Sequence, residues 1–203
     1  MSVPLETNRR YTISEYFDLE EQTPETLEYR NGEIVAMAGA SYSHTLITAN
    51  VTRRLAERLD GKPCRVSSSD LRVRTGKAAW YVHPDVTVVC GAPQFDPNDG
   101  RRGTITNPRV VVEVLSPTTE GYDRGEKFGR YREIDALQDY VLIRQDMPEI
   151  NVFHRRDDGT WLFLAAQGLD AKIALNSIDV ELHLSELYAG VEFAPRPEPP
   201  PGT

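Results

Sequence analysis

Two short valine-rich runs in the middle of the chain constrain the fold most, and each carries a carboxylate. The first covers residues 83–89 (HPDVTVV) and contains Asp85, and the second covers residues 110–115 (VVVEVL) and contains Glu113. Apolar runs of this length are typical of central strands that are buried on both faces. A buried carboxylate is unfavourable unless it is paired, hydrogen-bonded or bound to a metal. The runs therefore predict two neighbouring central strands that carry a metal site or an ion pair.

Local signals around these strands predict helices and hairpins. Thr12 and Glu15 have the spacing of a capping box at a helix start, and Asn31-Gly32 between two apolar stretches predicts a type I′ hairpin turn. Residues 44–59 carry apolar side chains at helical spacing. The other predicted elements are strands at 64–73, 80–90 and 139–144, a helix at 123–134, a hairpin at 150–154 and 161–165, and a short helix at 185–188. This order predicts an α/β (α+β) fold, with a mixed central β-sheet flanked by helices and with β-hairpins.

The length of 203 residues suits one domain. We predict a single domain over residues 1–194 and a disordered, proline-rich tail over residues 195–203. No apolar run approaches the roughly 18–20 residues that a membrane span needs, and the first ten residues lack the apolar core of a signal peptide. We therefore expect a cytoplasmic protein without a membrane segment.

Cysteine content and charge narrow the possible functions further. Cys64 and Cys90 are too few for a disulfide framework or a cysteine-rich zinc site, and we expect two buried structural thiols. A net charge of -8 argues against a broad electrostatic grip on nucleic acid. The arginines are clustered, however, so a local basic cleft stays open as a possibility. Charge alone does not decide the partner.

The carboxylates and a lysine suit phosphodiester hydrolysis. This reaction needs a nucleophilic water and neutralisation of phosphate charge, and Mg²⁺ held by a few carboxylate oxygens supplies both. A lysine beside the metal can orient the water or stabilise the developing charge. Asp85, Glu113 and Lys127 provide this set of groups. Structural ion pairing of the two carboxylates with Arg72 or Lys127 is the alternative.

Several motifs resemble the Uma-type restriction endonuclease family, over roughly residues 11–193. They are LEYRNGE at 27–33, SYSH at 41–44, PDV at 84–86, VEVLSPTT at 112–119, DRGEKF at 123–128 and DYVL at 139–142. The run from the EVLSPTT segment to DRGEK is the most specific. The resemblance implies a fold similar to the PD-(D/E)XK nucleases, with a Mg²⁺-dependent site in which Mn²⁺ can replace Mg²⁺.

The resemblance also implies roles for individual residues. Asp85 is the motif aspartate and Glu113 the second metal ligand. The strict pattern places a lysine two residues after Glu113, where this chain has Leu115. Lys127, on the following helix, is then implied to replace that lysine from another backbone position. Glu28, just before the Asn-Gly turn, is a candidate third carboxylate.

Three functional hypotheses remain at this stage. The first is a metal-dependent DNA endonuclease that acts as a homodimer, since cutting both strands takes two sites. The second is a nucleic-acid-binding protein of the same fold without catalysis, and the third is a protein-interaction module with structural carboxylates. His44, in the SYSH motif, is a weaker site candidate, and Asp70 could face either the site or solvent.

Overall fold

The structure, a computed structural model, describes residues 9–76 and 79–193. Its helices are α1 (Ile13–Gln22), α2 (Tyr42–Arg58), α3 (Glu120–Tyr122), α4 (Phe128–Tyr131) and α5 (Leu184–Leu187), with a π-helical turn (Asp123–Lys127) that joins α3 to α4. Its strands are β1 (Leu27–Arg30), β2 (Glu33–Ala36), β3 (Cys64–Ser68), β4 (Arg72–Thr75), β5 (Trp80–Val82), β6 (Val86–Cys90), β7 (Thr104–Ile105), β8 (Val110–Leu115), β9 (Asp139–Arg144), β10 (Glu149–Arg155), β11 (Trp161–Gln167), β12 (Lys172–Leu175) and β13 (Val180–His183). Within these described ranges, no helix is long and apolar enough to cross a membrane.

Two mixed sheets form the framework. The six-stranded sheet has the order β11-β10-β9-β8-β6-β3, and only β8 and β9 run parallel in it. The five-stranded sheet has the order β2-β1-β5-β4-β7. The predicted class, a mixed sheet flanked by helices with β-hairpins, is confirmed. The predicted tail at residues 195–203 lies outside the described residues.

The chain crosses between the two sheets at two places, within the predicted strand at 80–90 and at the polar run of residues 67–70 that interrupts the predicted strand at 64–73. The predicted strand at 80–90 is two strands, because β5 belongs to the five-stranded sheet and β6 to the six-stranded sheet. Pro84 explains this break, since proline lacks the N–H that a sheet ladder needs and restricts the residue before it. The predicted strand at 64–73 is likewise divided into β3 and β4. Asp85 consequently lies at a crossing point rather than inside a strand.

The predicted first hairpin and first two helices are present. Thr12 and Glu15 form a reciprocal capping box at the start of α1. Asn31 and Gly32 have positive φ angles of 49° and 97°, as a type I′ turn requires. Helix α2 buries its apolar row against the six-stranded sheet, and Ser41 caps its N-terminus by accepting a hydrogen bond from the His44 N–H.

Strand β8 divides its side chains between two cores. Val110, Val112 and Val114 pack with α2 in one cluster. Val111 and Leu115 point the other way, into a second cluster with Tyr131 of α4. Because side chains alternate along a strand, Glu113 faces this second side. That face is covered by the segment from α3 to α4, which supplies the lysine of the candidate site.

Cys64 and Cys90 form a disulfide, so the expectation of two free thiols is wrong. The two residues stand directly opposite each other in the antiparallel β3–β6 pair. Side chains at such opposed positions are close neighbours. The sequence alone does not show this register, because it depends on how two strands 26 residues apart are paired. The β12–β13 hairpin, which the sequence analysis did not predict, packs on the same core as α2.

Candidate active site

A cleft of about 710 Å³ lies where the chain crosses between the two sheets. Residues from β1, β2, α2, β8 and the π-helical turn line it. All four residues that the sequence analysis singled out for the site, Glu28, Asp85, Glu113 and Lys127, line this cleft. His44 and Asp70 line it as well. The roles of these residues remain predictions, but the fold brings them together.

Asp85 is held at the end of β6 by the backbone of the neighbouring strand. Strand β6 begins at Val86, which pairs with Val112, so the later residues of β8 extend beyond it. The Asp85 Oδ2 atom accepts a hydrogen bond of 2.7 Å from the Val114 N–H. It also lies 3.3 Å from His44 Nε2. The Asp85 carboxylate thus accepts a backbone hydrogen bond of β8 beyond the end of β6. This bond keeps the carboxylate at the edge of the cleft.

Glu113 and Lys127 form the buried centre of the site. The Lys127 Nζ atom lies 2.8 Å from Glu113 Oε1, and both side chains are about 95 % buried. The Tyr131 hydroxyl donates a hydrogen bond of 2.9 Å to the same Glu113 oxygen. Leu115, where the strict motif has lysine, is instead buried in the second core. The ammonium therefore reaches Glu113 from the helical side of the sheet.

Glu28 enters the same centre from the hairpin. Its Oε1 atom is 3.4 Å from Lys127 Nζ, and its Oε2 atom accepts a hydrogen bond of 2.8 Å from Arg30 Nη2. The Arg30 guanidinium in turn lies 3.9 Å above the Tyr122 ring. The Glu28 Oε1 atom is buried, and its contact with Lys127 is an ion pair without hydrogen-bond geometry. Lys127 is therefore the cation that compensates the charge on this oxygen.

Sequence reasoning missed Asp123 as a site residue. Its Oδ1 atom lies 3.6 Å from Lys127 Nζ, and the residue is only 4 % exposed. The π-helical turn places both residues on the buried side of the helical segment. Such turns are often found at functional sites. The i,i+4 spacing of Asp123 and Lys127 in DRGEK was the signal that could have identified it. Arg30, two residues after Glu28 on β1, was missed in the same way.

Burial and mutual repulsion shift the pKa values of these groups. Burial raises the pKa of Glu113 well above its ordinary value, and the Asp123 and Asp85 carboxylates add to the effect. Burial also raises the pKa of Asp123. Burial alone would lower the pKa of Lys127, but Glu113, Glu28 and Asp123 outweigh it and hold that pKa well above the usual range. The lysine is therefore a permanent cation in this centre.

Glu28 and His44 also have shifted pKa values. Burial opposes ionisation of Glu28, but Lys127 and Arg30 outweigh it and lower the pKa of this carboxyl group. Burial likewise opposes the charged form of His44, yet its contact with Asp85 raises the pKa of the imidazole above the ordinary value. Each shift therefore follows from neighbours of opposite charge, the two cations beside Glu28 and the carboxylate beside His44.

The cluster contains oxygen donors of the kind that hard divalent cations bind. The carboxylates of the cluster, Glu28, Asp85, Glu113 and Asp123, outnumber the two cations that neighbour them, Lys127 and Arg30. Within residues 9–76 and 79–193, no three His, Cys, Asp or Glu side chains are placed to hold an ion by themselves. Mg²⁺ is commonly bound through one or two carboxylates together with water and substrate phosphates. The excess of carboxylates over cations is consistent with such a partial protein ligand set.

Comparisons with known proteins relate this chain to a described family and fold. Residues 13–185 match the Uma2 family, whose description is "Putative restriction endonuclease". The uncharacterized protein slr1290 of Synechocystis sp. (strain ATCC 27184 / PCC 6803 / Kazusa) is 41 % identical over 181 residues, which cover 88 % of this chain and 92 % of that protein. The uncharacterized protein sll1609 of the same organism is 34 % identical over 174 residues, 86 % of this chain and 97 % of that one.

A solved structure is similar in fold. It is a crystal structure of a putative nuclease belonging to DUF820 from Anabaena variabilis ATCC 29413, with a TM-score of 0.67 and 18 % sequence identity. The likeness covers 85 % of this chain and 96 % of that one. At this identity the comparison establishes the common fold, and the family match covers most of the chain. The protein is a member of the Uma2 family.

Proposed function

We propose that this protein is a Mg²⁺-dependent DNA endonuclease that hydrolyses phosphodiester bonds in the cleft. The observation that carries the proposal is the convergence of Asp85, Glu113, Glu28 and Lys127 in one cleft from four separate parts of the chain. The Uma2 description, "Putative restriction endonuclease", supports the same reaction class. Mn²⁺ is expected to replace Mg²⁺, because both are bound by carboxylate and water oxygens.

Each residue has a part that its position supports. Asp85 and Glu113 would hold the cation, which supplies an acidified water and neutralises charge on the phosphate. Lys127, fixed between Glu113 and Glu28, would stabilise charge that develops on a phosphate oxygen. Glu28 would set the position of the ammonium through its 3.4 Å contact. Tyr131 would fix the Glu113 carboxylate by its hydrogen bond.

The direct test is cleavage of supercoiled, linear and single-stranded DNA by the purified protein. We expect nicking or cutting with Mg²⁺ or Mn²⁺, and none after chelation with EDTA, because the phosphate charge is then no longer neutralised. Gel electrophoresis of the products over time measures the rate. Protein with Asp85 replaced, purified in parallel, controls for a contaminating nuclease.

The alternative functions give different results in the same experiment. Salt-sensitive binding of DNA without cleavage in either metal would support a catalytically inactive binding protein. If the protein neither bound DNA nor changed its melting temperature when metal was added, the result would support the protein-interaction module. Isothermal titration of Mg²⁺ and Mn²⁺, with and without DNA, separates a site formed by the protein alone from one completed by the phosphate.

We also propose a homodimer, on the argument that two sites are needed to cut two strands. The edge strand β11 supports this, because the sequence Trp161–Gln167 carries no charge and Phe163 is 53 % exposed. Uncharged edge strands readily pair with another chain. Sedimentation velocity should therefore show a dimer that Phe163→Lys converts to monomer, whereas Leu169→Lys, beyond the strand, leaves it intact. A wild-type monomer at all concentrations would contradict the proposal.

A DNA substrate inside the cell implies action in the cytoplasm, and we propose that location. The Cys64–Cys90 disulfide speaks against a constantly reducing environment, since cytosolic disulfides are rare. Counting free thiols in protein that is alkylated during cell lysis would measure which state is present.

A further inference from the structure

The pair of strands β3 and β6 ends next to Asp85. In this antiparallel pair the last residues that stand opposite each other are Ser68 and Val86. Ser69 is the next residue beyond β3, and Asp85 is the residue just before β6, so the register of the pair places them at the same level. Both residues line the cleft. The chain at Ser69 therefore bounds the position of Asp85 on the side away from β8.

The surroundings of Asp85 are fixed by different bonds on its two sides. On the β8 side, its carboxylate accepts the hydrogen bond of 2.7 Å from the Val114 N–H. On the β3 side, the backbone is held by a side chain, because the His83 Nδ1 atom lies 3.0 Å from the Ser69 carbonyl oxygen. A carbonyl oxygen only accepts hydrogen bonds, so Nδ1 carries the proton and donates. His83 thus ties the end of β3 to the segment that leads into β6.

His83 is buried and is closely linked to Asp85. It is 6 % exposed and lines the cleft. Pro84, between the two residues, has a fixed φ angle and restricts the backbone of His83, so the link has little freedom. The His83 Nε2 atom lies 3.2 Å from Glu20 Oε1, and Glu20 also pairs with Arg72. The imidazole ring is therefore held between the end of β3 and helix α1.

We propose that His83 is a positioning residue for Asp85, and that its hydrogen bond to Ser69 fixes the end of the β3–β6 pair from which Asp85 reaches the divalent cation. The inference rests on the proposed nuclease function and adds a residue whose side chain faces Ser69 and Glu20. Outer groups that orient the ligands of a metal commonly change its affinity when they are replaced. The contact with Glu20, in contrast, joins α1 to the sheet, and we assign it to stability alone.

Two substitutions separate the two contacts of His83. In His83→Asn the amide nitrogen takes the place of Nδ1 and keeps the bond to Ser69, but the side chain no longer reaches Glu20. In His83→Gln the amide nitrogen takes the place of Nε2 and keeps the contact with Glu20, but the bond to Ser69 is lost. Each variant loses one buried contact, so both should unfold at a lower urea concentration than the wild type. Positioning of Asp85 is disturbed in His83→Gln only.

Calorimetric titration with Ca²⁺, used in place of Mg²⁺ to limit cleavage, measures the affinity for the cation in the presence of a DNA duplex. We expect His83→Gln to bind the cation about 10–100-fold more weakly than the wild type, the usual effect of losing an outer partner of a metal ligand. His83→Asn should bind it as the wild type does. In cleavage assays, only His83→Gln should need a higher Mg²⁺ concentration to reach half of its maximal rate.

A second measurement needs no cation. In amide NMR spectra of the metal-free proteins, the Val114 resonance reports the hydrogen bond from this N–H to Asp85. The resonance should move in His83→Gln and keep its wild-type position in His83→Asn. The amide resonance of Val152, in β10 two strands away from β8, is the internal reference and should stay in place in both variants.

Other outcomes overturn the inference in distinguishable ways. Unchanged cation affinity and an unchanged Val114 resonance in His83→Gln refute the positioning role, and leave the nuclease proposal standing where the wild type cuts DNA. Equal losses of cation affinity in the two variants show that His83 acts through stability alone, which also refutes the role. A wild type that neither binds a cation nor cuts DNA removes the proposed function, and with it the role of His83 in cation binding.

Discussion

Replacing Asp85 by asparagine is expected to lower the rate of DNA cleavage by about 10²–10³-fold. Asparagine keeps the size of the side chain and its oxygen can still accept the Val114 N–H, so β6 and β8 stay joined. The variant loses the negative charge that we propose holds the cation, and removal of one such electrostatic contact lowers rates by about 10²–10³-fold in other enzymes. Initial rates of plasmid nicking in Mg²⁺ measure the effect, and calorimetry should show weaker cation binding.

Asp70→Asn is the matched control for this substitution. Asp70 lines the same cleft, but it was not assigned to the metal. We expect its cleavage rate to remain close to that of the wild type. If both variants lost activity equally, general loss of negative charge in the cleft would explain the result better than a ligand role for Asp85. Retained activity in Asp85→Asn would remove the central assignment.

The second large effect is expected for Lys127→Met, in both activity and stability. The substitution leaves Glu113, Glu28 and Asp123 buried without the ammonium that contacts all three. Breaking a buried ion pair by removing one partner typically lowers the free energy of unfolding by about 3–5 kcal/mol. Cleavage should fall by about 10²–10³-fold, because the ammonium that we propose stabilises charge on the phosphate is gone. Urea unfolding and initial rates measure the two effects separately.

This loss of stability should depend on pH. In the wild type, burial already raises the pKa of Glu113, and removal of Lys127 raises it further. A carboxyl group with a raised pKa in the folded state favours folding most below its unfolded pKa of about 4.3, and this contribution is lost as the pH rises through the folded pKa. The difference in unfolding free energy between wild type and Lys127→Met should therefore be larger at about pH 8 than at about pH 5.

Two further variants make this prediction specific. Lys62→Met removes an ammonium that pairs with the exposed Asp179, and should change stability by about 1 kcal/mol or less. The double variant Lys127→Met, Glu113→Gln should regain part of the lost stability, because one buried charge has gone, without regaining activity. If the free energy of unfolding of Lys127→Met changed with pH in the same way as that of the wild type, the carboxylates would not be coupled to Lys127.

The sequence predicted the elements whose signals are local. The Asn31-Gly32 turn, the capping box at Thr12 and the apolar row of α2 each depend on residues within a few positions of one another. The split of residues 80–90 between two sheets and the Cys64–Cys90 disulfide depend instead on which strands pair. Pairing partners and register are set by contacts distant in sequence, so a pattern read along the chain does not contain them.

The residues of the candidate site likewise include some that the sequence identified and others that only the folded structure showed. The carboxylates of the valine-rich runs were evident because a charge inside an apolar strand needs an explanation. Lys127 was a candidate because it follows the second run on a predicted helix, and the family resemblance added that it replaces the lysine missing at Leu115. Asp123 and Arg30 were missed because their neighbours in space, Lys127 and Tyr122, became clear only once the helical segment lay on the sheet.

The π-helical turn at Asp123–Lys127 affects how such a site can change during evolution. A wider turn of this kind is in effect an α-helix with one inserted residue. Because the wide turn takes up the extra residue locally, deleting a residue within it would return the segment to a regular α-helix and leave the residues that follow close to their present positions. Lys127 would then stay near the carboxylates, and Phe128 and Tyr131 would keep their places in the aromatic core. A one-residue deletion from the regular helix α2 would instead rotate all later residues of that helix by about 100°, so the π-helical turn is the place in the helices where the chain length can change with the smallest effect on packing.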